Sequence, residues 1–255
     1  MNLRYINLRV DYFSYEDAFC NIFMDNVFFV SHFLSKRIRM YKIPTDGTYN
    51  ELSVCLTKSK EHCLIVSEKC LLAKITFSDE NLKSYLTMTN EQQRFEYYLS
   101  LLERGYNLAS KFKGIPIDVL DNLHNEFRLN GYKNEWLFKK KIIKTFDIKI
   151  VLMHELTSYD YKLMLFVYDI GTNKVICKGC IYQTFPDSIL FDKNVRHLVI
   201  EDGKLIITDF LDHPQFVCEL SDLSKGIINS VCVDANTRKY LPNDKNREKF
   251  ERLKW

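Results

Sequence analysis

The residues Cys177 and Cys180 form the only CxxC spacing in the chain, and they are the first candidates for chemistry. Lysine and glycine between them would suit a zinc knuckle, but a structural zinc site needs four ligands, usually from two such pairs. A thioredoxin-like motif would open a helix after a strand, whereas strand pattern continues on both sides here. We therefore interpret the motif as a strand with a glycine bulge. The sequence predicts no metal and no cofactor.

A histidine lies close in sequence to a carboxylate at two places, His154 beside Glu155 and His213 four residues after Asp209. Neither place has a nucleophile in a GxSxG-type elbow or a cysteine signature. The motifs GxxxxGK[ST], GxGxxG and HExxH are absent, which argues against common nucleotide folds and zincins. Acid–base pairs are also assembled from distant residues, so an enzyme of unrecognised class remains an alternative to the non-enzymatic function we expect.

Two stretches of the chain are strongly acidic. Positions 10–35 contain no Lys or Arg, and positions 201–222 contain only Lys204. An acidic surface can dock a basic protein, because complementary potentials speed encounter and exclude wrong partners. The carboxylates that we predict to bind a partner are Asp11, Glu16, Asp17 and Asp25, or alternatively Asp209, Asp212, Glu219 and Asp222.

Basic residues are concentrated in positions 133–149, with six lysines, and in the tail at 236–255. One interpretation is a nucleic-acid-binding strand and tail, since lysine and arginine neutralise phosphates. The other is an edge strand, because lysines alternate there with Ile142, Ile143 and Phe146 and lysine on an edge prevents aggregation. We favour the edge strand and keep nucleic-acid binding as the alternative function.

The composition is that of a soluble globular protein. Of its 255 residues, 46% are hydrophobic and 27% charged, with a net charge of +3. We see no run near the roughly 20 apolar residues of a membrane span and no signal peptide. We therefore expect a cytoplasmic protein that does not bind membranes, whose eight cysteines are reduced thiols.

The best-specified elements are two helices in the middle of the chain. Thr89 and Gln92 match a capping box, which predicts a helix start near Asn90. The helix stripe expected to face inward consists of Phe95, Leu99, Leu102, Tyr106, Ala109 and Phe112. After a break at Gly114–Pro116, a second helix with Leu120, Leu123 and Phe127 inward ends at Asn130–Gly131. The pair is expected to lie on a sheet.

The N-terminal region is predicted to be mostly β-strand. A strand at Met1–Phe13 and a short helix at Ala18–Met24 are followed by an apolar run that suits a buried strand. The remaining predicted strands before the helices are Asn26–Leu34, Ile38–Ile43, Leu52–Thr57, Cys63–Ser67 and Leu71–Phe77.

After the helices, period-two patterns predict an antiparallel meander. Its strands are Trp136–Phe146, Ile148–Glu155, Tyr161–Asp169 and Lys174–Gln183, with links too short for parallel crossovers. Asp202–Gly203 is the dipeptide of a type I′ hairpin turn between His197–Ile200 and Leu205–Phe210. A short helix is expected near Ser221–Ile228, before the basic tail.

These elements predict an α+β fold, an antiparallel meander with the helical pair packed on the sheet and a smaller N-terminal β region. We expect a single domain over positions 1–255. Its regions are 1–77 (β-rich), 78–131 (helical), 132–210 (meander) and 211–255 (helix and basic tail).

The segments Glu96–Gly105 (EYYLSLLERG) and Glu126–Trp136 (EFRLNGYKNEW) resemble bacterial immunity proteins of polymorphic and contact-dependent growth inhibition toxin systems. The resemblance covers positions 78–210. It implies a non-enzymatic cytoplasmic protein that binds a cognate toxin domain and blocks its active site or substrate access. Such families share no catalytic motif, so the resemblance assigns no functional residue. Many immunity proteins that face nucleases are acidic, and the slight positive charge here departs from that pattern.

Overall fold

The computed structural model describes residues 1–61, 63–233 and 240–242. Helices and largely antiparallel sheets both contribute, so the α+β class is confirmed. The chain divides into two compact units, the first at Met1–Asn134 and the second beginning at Glu135. The single-domain organisation over positions 1–255 stays a prediction.

The first unit contains a four-stranded sheet. Its strands are β1 (Tyr5–Val10), β2 (Glu51–Thr57), β3 (Cys63–Ser67) and β4 (Cys70–Thr76), in the spatial order β1-β2-β4-β3. The β1–β2 and β2–β4 pairs are parallel, and β3 is antiparallel to β4. Every strand matches a predicted segment, although the first is shorter than Met1–Phe13.

Between β1 and β2 lies one long helix, α1 (Asp17–Tyr41). The strands predicted at Asn26–Leu34 and Ile38–Ile43 are therefore wrong, and the predicted helix at Ala18–Met24 is only its start. The helical repeat is visible in the residues that are buried, which recur every three or four positions: Cys20, Phe23, Val27, Val30, Leu34 and Ile38. Phe29 and Phe33 widen the buried face. That width turned a helical pattern into an apparently continuous apolar run.

Within the described residues, α1 is the helix with the length and hydropathy of a membrane span, and 56% of that window is buried. The sequence reading had found no such segment. Core helices of soluble proteins meet the same criterion. Its buried side chains pack in the core of the first unit, where Phe29 lies 4.9 Å from the Phe95 ring and Phe33 lies 4.8 Å from the Phe127 ring.

The predicted helical pair is present as α3 (Glu91–Ser110) and α4 (Ile117–Leu129). The predicted stripes are buried, except that Phe112 lies beyond the end of α3 and is exposed. α3 packs against β1, β2 and β4, while α4 packs against α1 and α3. The pair therefore lies on the N-terminal sheet and α1, whereas the sequence placed it on the meander.

The helix caps differ from the sequence prediction. The side chain of Asn90 caps α3 by accepting a hydrogen bond from the Gln93 amide, so the capping box predicted at Thr89 is wrong. A full capping box instead opens a helix that the sequence reading missed, α2 (Asp79–Leu86). There Ser78 and Asn81 satisfy each other's backbone amides.

The second unit begins with the predicted meander. Its strands are β5 (Asn134–Ile143), β6 (Ile148–Leu156), β7 (Tyr161–Asp169) and β8 (Val175–Thr184), in sequential order. The β6–β7 and β7–β8 pairs are antiparallel, as predicted. Inward side chains alternate along β6 and β7, with Ile150, Leu152, Leu163 and Leu165 fully buried.

A separate five-stranded sheet follows. It contains β9 (His197–Glu201), β10 (Lys204–Thr208), β11 (Pro214–Glu219), β12 (Val231–Val233) and β13 (Tyr240–Pro242). Each strand lies beside the strands that precede and follow it in the sequence. Asp202 and Gly203 both have positive φ, which confirms the type I′ turn. The β9–β10 hairpin was predicted within the meander and belongs to this second sheet instead.

Two short helices complete the second unit. The helix predicted near Ser221–Ile228 is present as α6 (Leu220–Ser224). The sequence reading missed α5 (Ser188–Asn194), where the Asp187 side chain caps the first turn. Apart from β13, the basic tail predicted at 236–255 lies outside the described residues.

Candidate functional site

The loop between β1 and α1 carries Phe13, whose side chain is fully exposed. The Asp11 carboxylate accepts hydrogen bonds from the Phe13 amide (3.2 Å) and the Ser14 hydroxyl (3.0 Å). Ser14 also lies 3.0 Å from the Thr57 hydroxyl at the end of β2. The loop is therefore held at both ends, and the exposed ring projects from a fixed backbone.

The first turns of α1 continue this surface with acidic and apolar side chains. Asp17, Asn21 and Asp25 follow each other at i,i+4 spacing, so they share one exposed face. Ile22 is about half exposed beside them. We define the acidic N-terminal face as Phe13, Glu16, Asp17, Ile22 and Asp25. Glu16 and Asp17 form no salt bridge with any described residue, so their charge is directed to solvent.

The predicted carboxylates of the first stretch thus have two different roles. Glu16, Asp17 and Asp25 are exposed on one helix end, whereas Asp11 is half-buried and shapes the loop. The sequence prediction ends the short helix at Met24 and begins a strand at Asn26, so it does not place Asp25 on the same helix as Asp17. The signal available was the i,i+4 recurrence of polar residues from Asp17 to Asp25.

The second acidic stretch is organised around a buried carboxylate. Asp209 accepts hydrogen bonds from the amides of Leu211 (2.8 Å) and His213 (2.9 Å) and from the side chain of Gln215 (3.0 Å). The His213 ring lies 3.6 Å from the same carboxylate. Asp209 is therefore committed to folding the β10–β11 loop, and its charge is not presented to a partner.

The other three carboxylates of the second acidic stretch do not form one exposed surface of unpaired negative charge. Glu219 lies 3.8 Å from the Lys204 ammonium, and Asp222 accepts a long hydrogen bond from Asn229 (3.5 Å). Asp212 is exposed at the loop tip, 3.7 Å from the His197 ring. The same tip exposes Phe210 and Leu211, so it is the weaker of the two candidate docking surfaces.

A polar cavity of about 360 Å³ lies between α3 and α4. Its lining residues are Glu103, Tyr106, Asn107, Ile117, Asp121, Asn125 and Arg128. Behind it, His124 is fully buried and its Nδ1 lies 3.2 Å from Glu103 Oε1. Arg128 donates from Nε and Nη2 to Glu96 at 2.9 Å each, and the Tyr132 hydroxyl donates to Glu96 at 2.7 Å. Five side chains thus tie the two helices and the start of the next segment together.

The electrostatics of this network follow from burial and pairing. Burial lowers the pKa of His124, although its contact with Glu103 opposes the shift. The hydrogen bond from Arg128 holds the pKa of Glu96 below its usual value. Burial raises the pKa of Tyr106 well above its usual value. Because the His124 ring is completely buried, a molecule in the cavity would not reach it, and the network holds α3 to α4.

The CxxC motif lies in β8, which confirms the strand interpretation. The register with β7 pairs Met164 with Cys180 and Leu163 with Tyr182, so Ile181 is an extra residue in β8, and a second shift makes Ile176 extra as well. The bulge predicted at Gly179 is therefore misplaced. Burial raises the pKa of both thiols, which disfavours the reactive thiolate. Within residues 1–61, 63–233 and 240–242, no three His, Cys, Asp or Glu side chains gather as a metal site.

The adjacent pair His154 and Glu155 does not form an acid–base site, since neighbouring strand residues point to opposite faces. His154 is buried, lies 2.5 Å from the Tyr161 hydroxyl and stacks on Trp136. The structure brings His213 to the carboxylate of Asp209, as it brings His124 to Glu103 and His197 to Asp212.

The basic segment at 133–149 includes β5, which lies at the end of its sheet, so the predicted edge strand is confirmed. Its three consecutive lysines, Lys139, Lys140 and Lys141, are exposed. Lys144 is exposed as well, in the turn after β5.

No family model matches the chain, and no curated protein or solved structure is similar to it. The function proposed for the chain therefore depends on its own residues and on the resemblance described above.

Proposed function

We propose that this protein binds a cognate bacterial toxin domain in the cytoplasm and neutralises it by blocking its active site or substrate access. The acidic N-terminal face is the docking surface. The observation that carries the proposal is the fully exposed Phe13 ring on a loop fixed by Asp11, next to the exposed carboxylates of Glu16 and Asp17. The sequence resemblance to immunity proteins supports the same assignment.

Phe13 has the properties of an interface anchor. A large aromatic side chain that enters a partner's pocket contributes strongly to affinity, and such anchors lose least entropy when they are held in place beforehand. The Asp11 and Ser14 hydrogen bonds supply that preorganisation. Ile22 adds apolar area on the adjacent helix turn.

The carboxylates around Phe13 define the chemistry of the partner. Glu16, Asp17 and Asp25 present negative charge where no Lys or Arg occurs between positions 10 and 35. The matching partner surface is basic, as is expected of a domain that handles nucleic acid or another polyanion. Covering that surface would keep its substrate away by both volume and charge. The overall charge of +3 is compatible with this because complementarity is local.

Nucleic-acid binding by this chain is the second candidate, and one observation favours it: three consecutive exposed lysines on the edge strand β5. It predicts retention on polyanions with a steep salt dependence. Neutralising Lys139, Lys140 and Lys141 should then abolish retention. Retention that survives neutralisation would contradict this alternative.

The test of the proposed function is co-expression with the product of the adjacent open reading frame and purification through a tag on this chain alone. A stable stoichiometric complex, together with survival of a host that the neighbour alone would kill, is the expected result. A neighbour that neither co-purifies nor is tolerated by the host would overturn the proposal. A catalytically inactive neighbour serves as the control for expression, since its binding must persist without toxicity.

A further inference from the structure

β3 is an exposed and unprotected edge of the N-terminal sheet. Its sequence, CLIVS, has no charge and no proline, and its pairing with β4 has no bulge. Ile65 and Val66 are 41% and 42% exposed. Natural proteins protect such edges with charges, prolines, bulges or a covering element, because an open apolar edge pairs with another strand.

At the opposite edge of the same sheet, outward backbone amides have hydrogen-bond acceptors. β1 is the other terminal strand, and its outward amides at Ile6 and Leu8 donate to the hydroxyls of Ser35 (2.9 Å) and Ser31 (3.2 Å) of α1. The outward amides of Ile6 and Leu8 at the β1 edge are therefore satisfied by buried serine hydroxyls. The outward backbone groups of Leu64 and Val66 in β3 have no partner among the described residues.

The register of the β3–β4 hairpin identifies those outward groups. Ser67 and Cys70 flank a two-residue turn, Glu68–Lys69, in which both residues have positive φ. Residues flanking such a turn are a hydrogen-bonded pair, and the pairs alternate along the ladder. The groups of Leu64 and Val66 therefore point away from β4.

We propose that β3 pairs with β3 of a second copy of this chain, antiparallel, about a twofold axis through Ile65. In this register Leu64 lies opposite Val66 of the second copy, so the outward amides and carbonyls satisfy each other in two reciprocal pairs. Ile65 faces its own counterpart as a close non-hydrogen-bonded pair. Leu64 and Val66 share the face of the buried residues Leu71 and Ala73, so pairing also extends the core across the axis.

The charged residues on either side of β3 favour a second copy of this chain as the strand that pairs with it. The same register brings the segment Lys60–Glu61, which precedes β3, to the turn Glu68–Lys69 of the second copy. Pairing about Ile65 sets Glu61 opposite Lys69 of the second copy, and the twofold axis repeats this pair on the other side. The edge is thus complementary to itself, and these charges fix the register more than they add affinity. This surface is distinct from the acidic N-terminal face, so a dimer could still dock a partner.

Cross-linking on the axis tests the register. In a Cys63→Ser background, Ile65→Cys places two cysteines opposite each other at a separation a disulfide can bridge. Val66→Cys is the matched control, because its counterpart is displaced along the strand by two residues. Mild oxidation should convert Ile65→Cys to a covalent dimer at least tenfold faster than Val66→Cys. Equal rates, or no covalent dimer, would overturn the proposal.

Sedimentation equilibrium tests the dimer itself. The unaltered chain should show a concentration-dependent dimer, and Val66→Pro should raise the dimer dissociation constant by roughly tenfold or more, since it removes an outward donor from each copy. The β3–β4 ladder does not use that amide, so the fold should persist, as judged by circular dichroism. Val66→Thr keeps the amide and should keep the dimer. A chain that is monomeric at every concentration, or a Val66→Pro chain that dimerises normally, would overturn the proposal.

Discussion

The carboxylate of Asp11 accepts a hydrogen bond from the backbone amide of Phe13 at 3.2 Å, and so an acid two positions earlier holds the backbone that carries the best-exposed aromatic ring of the described residues. The same carboxylate binds the Ser14 hydroxyl. An exposed ring on an ordered loop is a preorganised contact. This relationship connects the acidic stretch found in the sequence to a surface that can bind a partner.

Reversing charge on the acidic N-terminal face should slow association with the toxin domain. The double variant Glu16→Lys/Asp17→Lys replaces unpaired negative charge with positive charge, so the association rate constant should fall roughly tenfold or more at low salt, with a smaller change in dissociation. Surface plasmon resonance at two salt concentrations measures both rates.

The matched control is Glu91→Lys, which is compared with the single variant Asp17→Lys because each reverses one charge. Glu91 is exposed in the first turn of α3, as Asp17 is in the first turn of α1, so both changes disturb a helix dipole to a similar degree. Its association rate should stay close to that of the unaltered chain. Equal slowing by both variants would show that the acidic N-terminal face has no special role.

Gly105 allows α3 to approach β2 closely. A Cβ at this position would lie 2.2 Å from Cγ2 of Val54, which is fully buried. Gly105→Ala should therefore lower the free energy of unfolding by about 1–3 kcal/mol, and Val54→Ala in the same chain should recover part of that loss. Gly114→Ala is the control, because nothing lies within 4 Å of its added Cβ. Chemical denaturation of the four chains measures the effect, and equal stabilities for the two glycine variants would contradict it.

His32 should make stability depend on pH. Burial, with the nearby positive charge of Lys36, lowers its pKa from 6.5 to about 4. As pH falls below 6.5, the unfolded chain takes up the proton first, so stability present above pH 6.5 is lost progressively toward pH 4, by up to about 3 kcal/mol. His32→Gln should flatten the dependence between pH 7 and pH 5 in urea denaturation. An unchanged slope would mean that other groups control it, His124 first among them, since its pKa is lowered as well.

Asp209 should behave as a structural residue although it lies in an acidic stretch. Asp209→Ala would leave the amides of Leu211 and His213 without their acceptor, so the second unit should lose roughly 1–3 kcal/mol of stability. Asp209→Asn keeps one acceptor oxygen and should lose less. Thermal unfolding compares them. If the alanine variant melted like the unaltered chain, the loop would not depend on this carboxylate.

Local signals predicted the second unit well. β7 begins and ends where period-two alternation placed it, and Asp202–Gly203 forms the expected turn, because both depend on residues adjacent in sequence. The division of the strands between two sheets was not predicted, because β11 and β12, which extend the second sheet, were not recognised as strands. β11 itself was missed because it begins with a proline and follows the loop organised by Asp209.

The fold of the first unit was predicted less well. The sequence therefore did not show how the residues of the acidic N-terminal face lie together. Burial of Phe29 and Phe33, which lie together on one side of the main buried stripe of α1, hid the helical period, and with it the common face of Asp17 and Asp25. The acidic composition was visible in the sequence. Which carboxylates point outward was not, because that depends on hydrogen bonds such as those that commit Asp11 and Asp209 to their own loops.

The most direct measurement of the docking surface compares two aromatic truncations in one binding experiment. Phe13→Ala and Phe210→Ala each remove an exposed ring, one from the acidic N-terminal face and one from the other acidic stretch. Calorimetric titration against the purified toxin domain should show an affinity loss of about thirtyfold or more for Phe13→Ala, as for an anchor residue, and little change for Phe210→Ala. Unchanged affinity for Phe13→Ala would contradict docking on the acidic N-terminal face, whatever Phe210→Ala does.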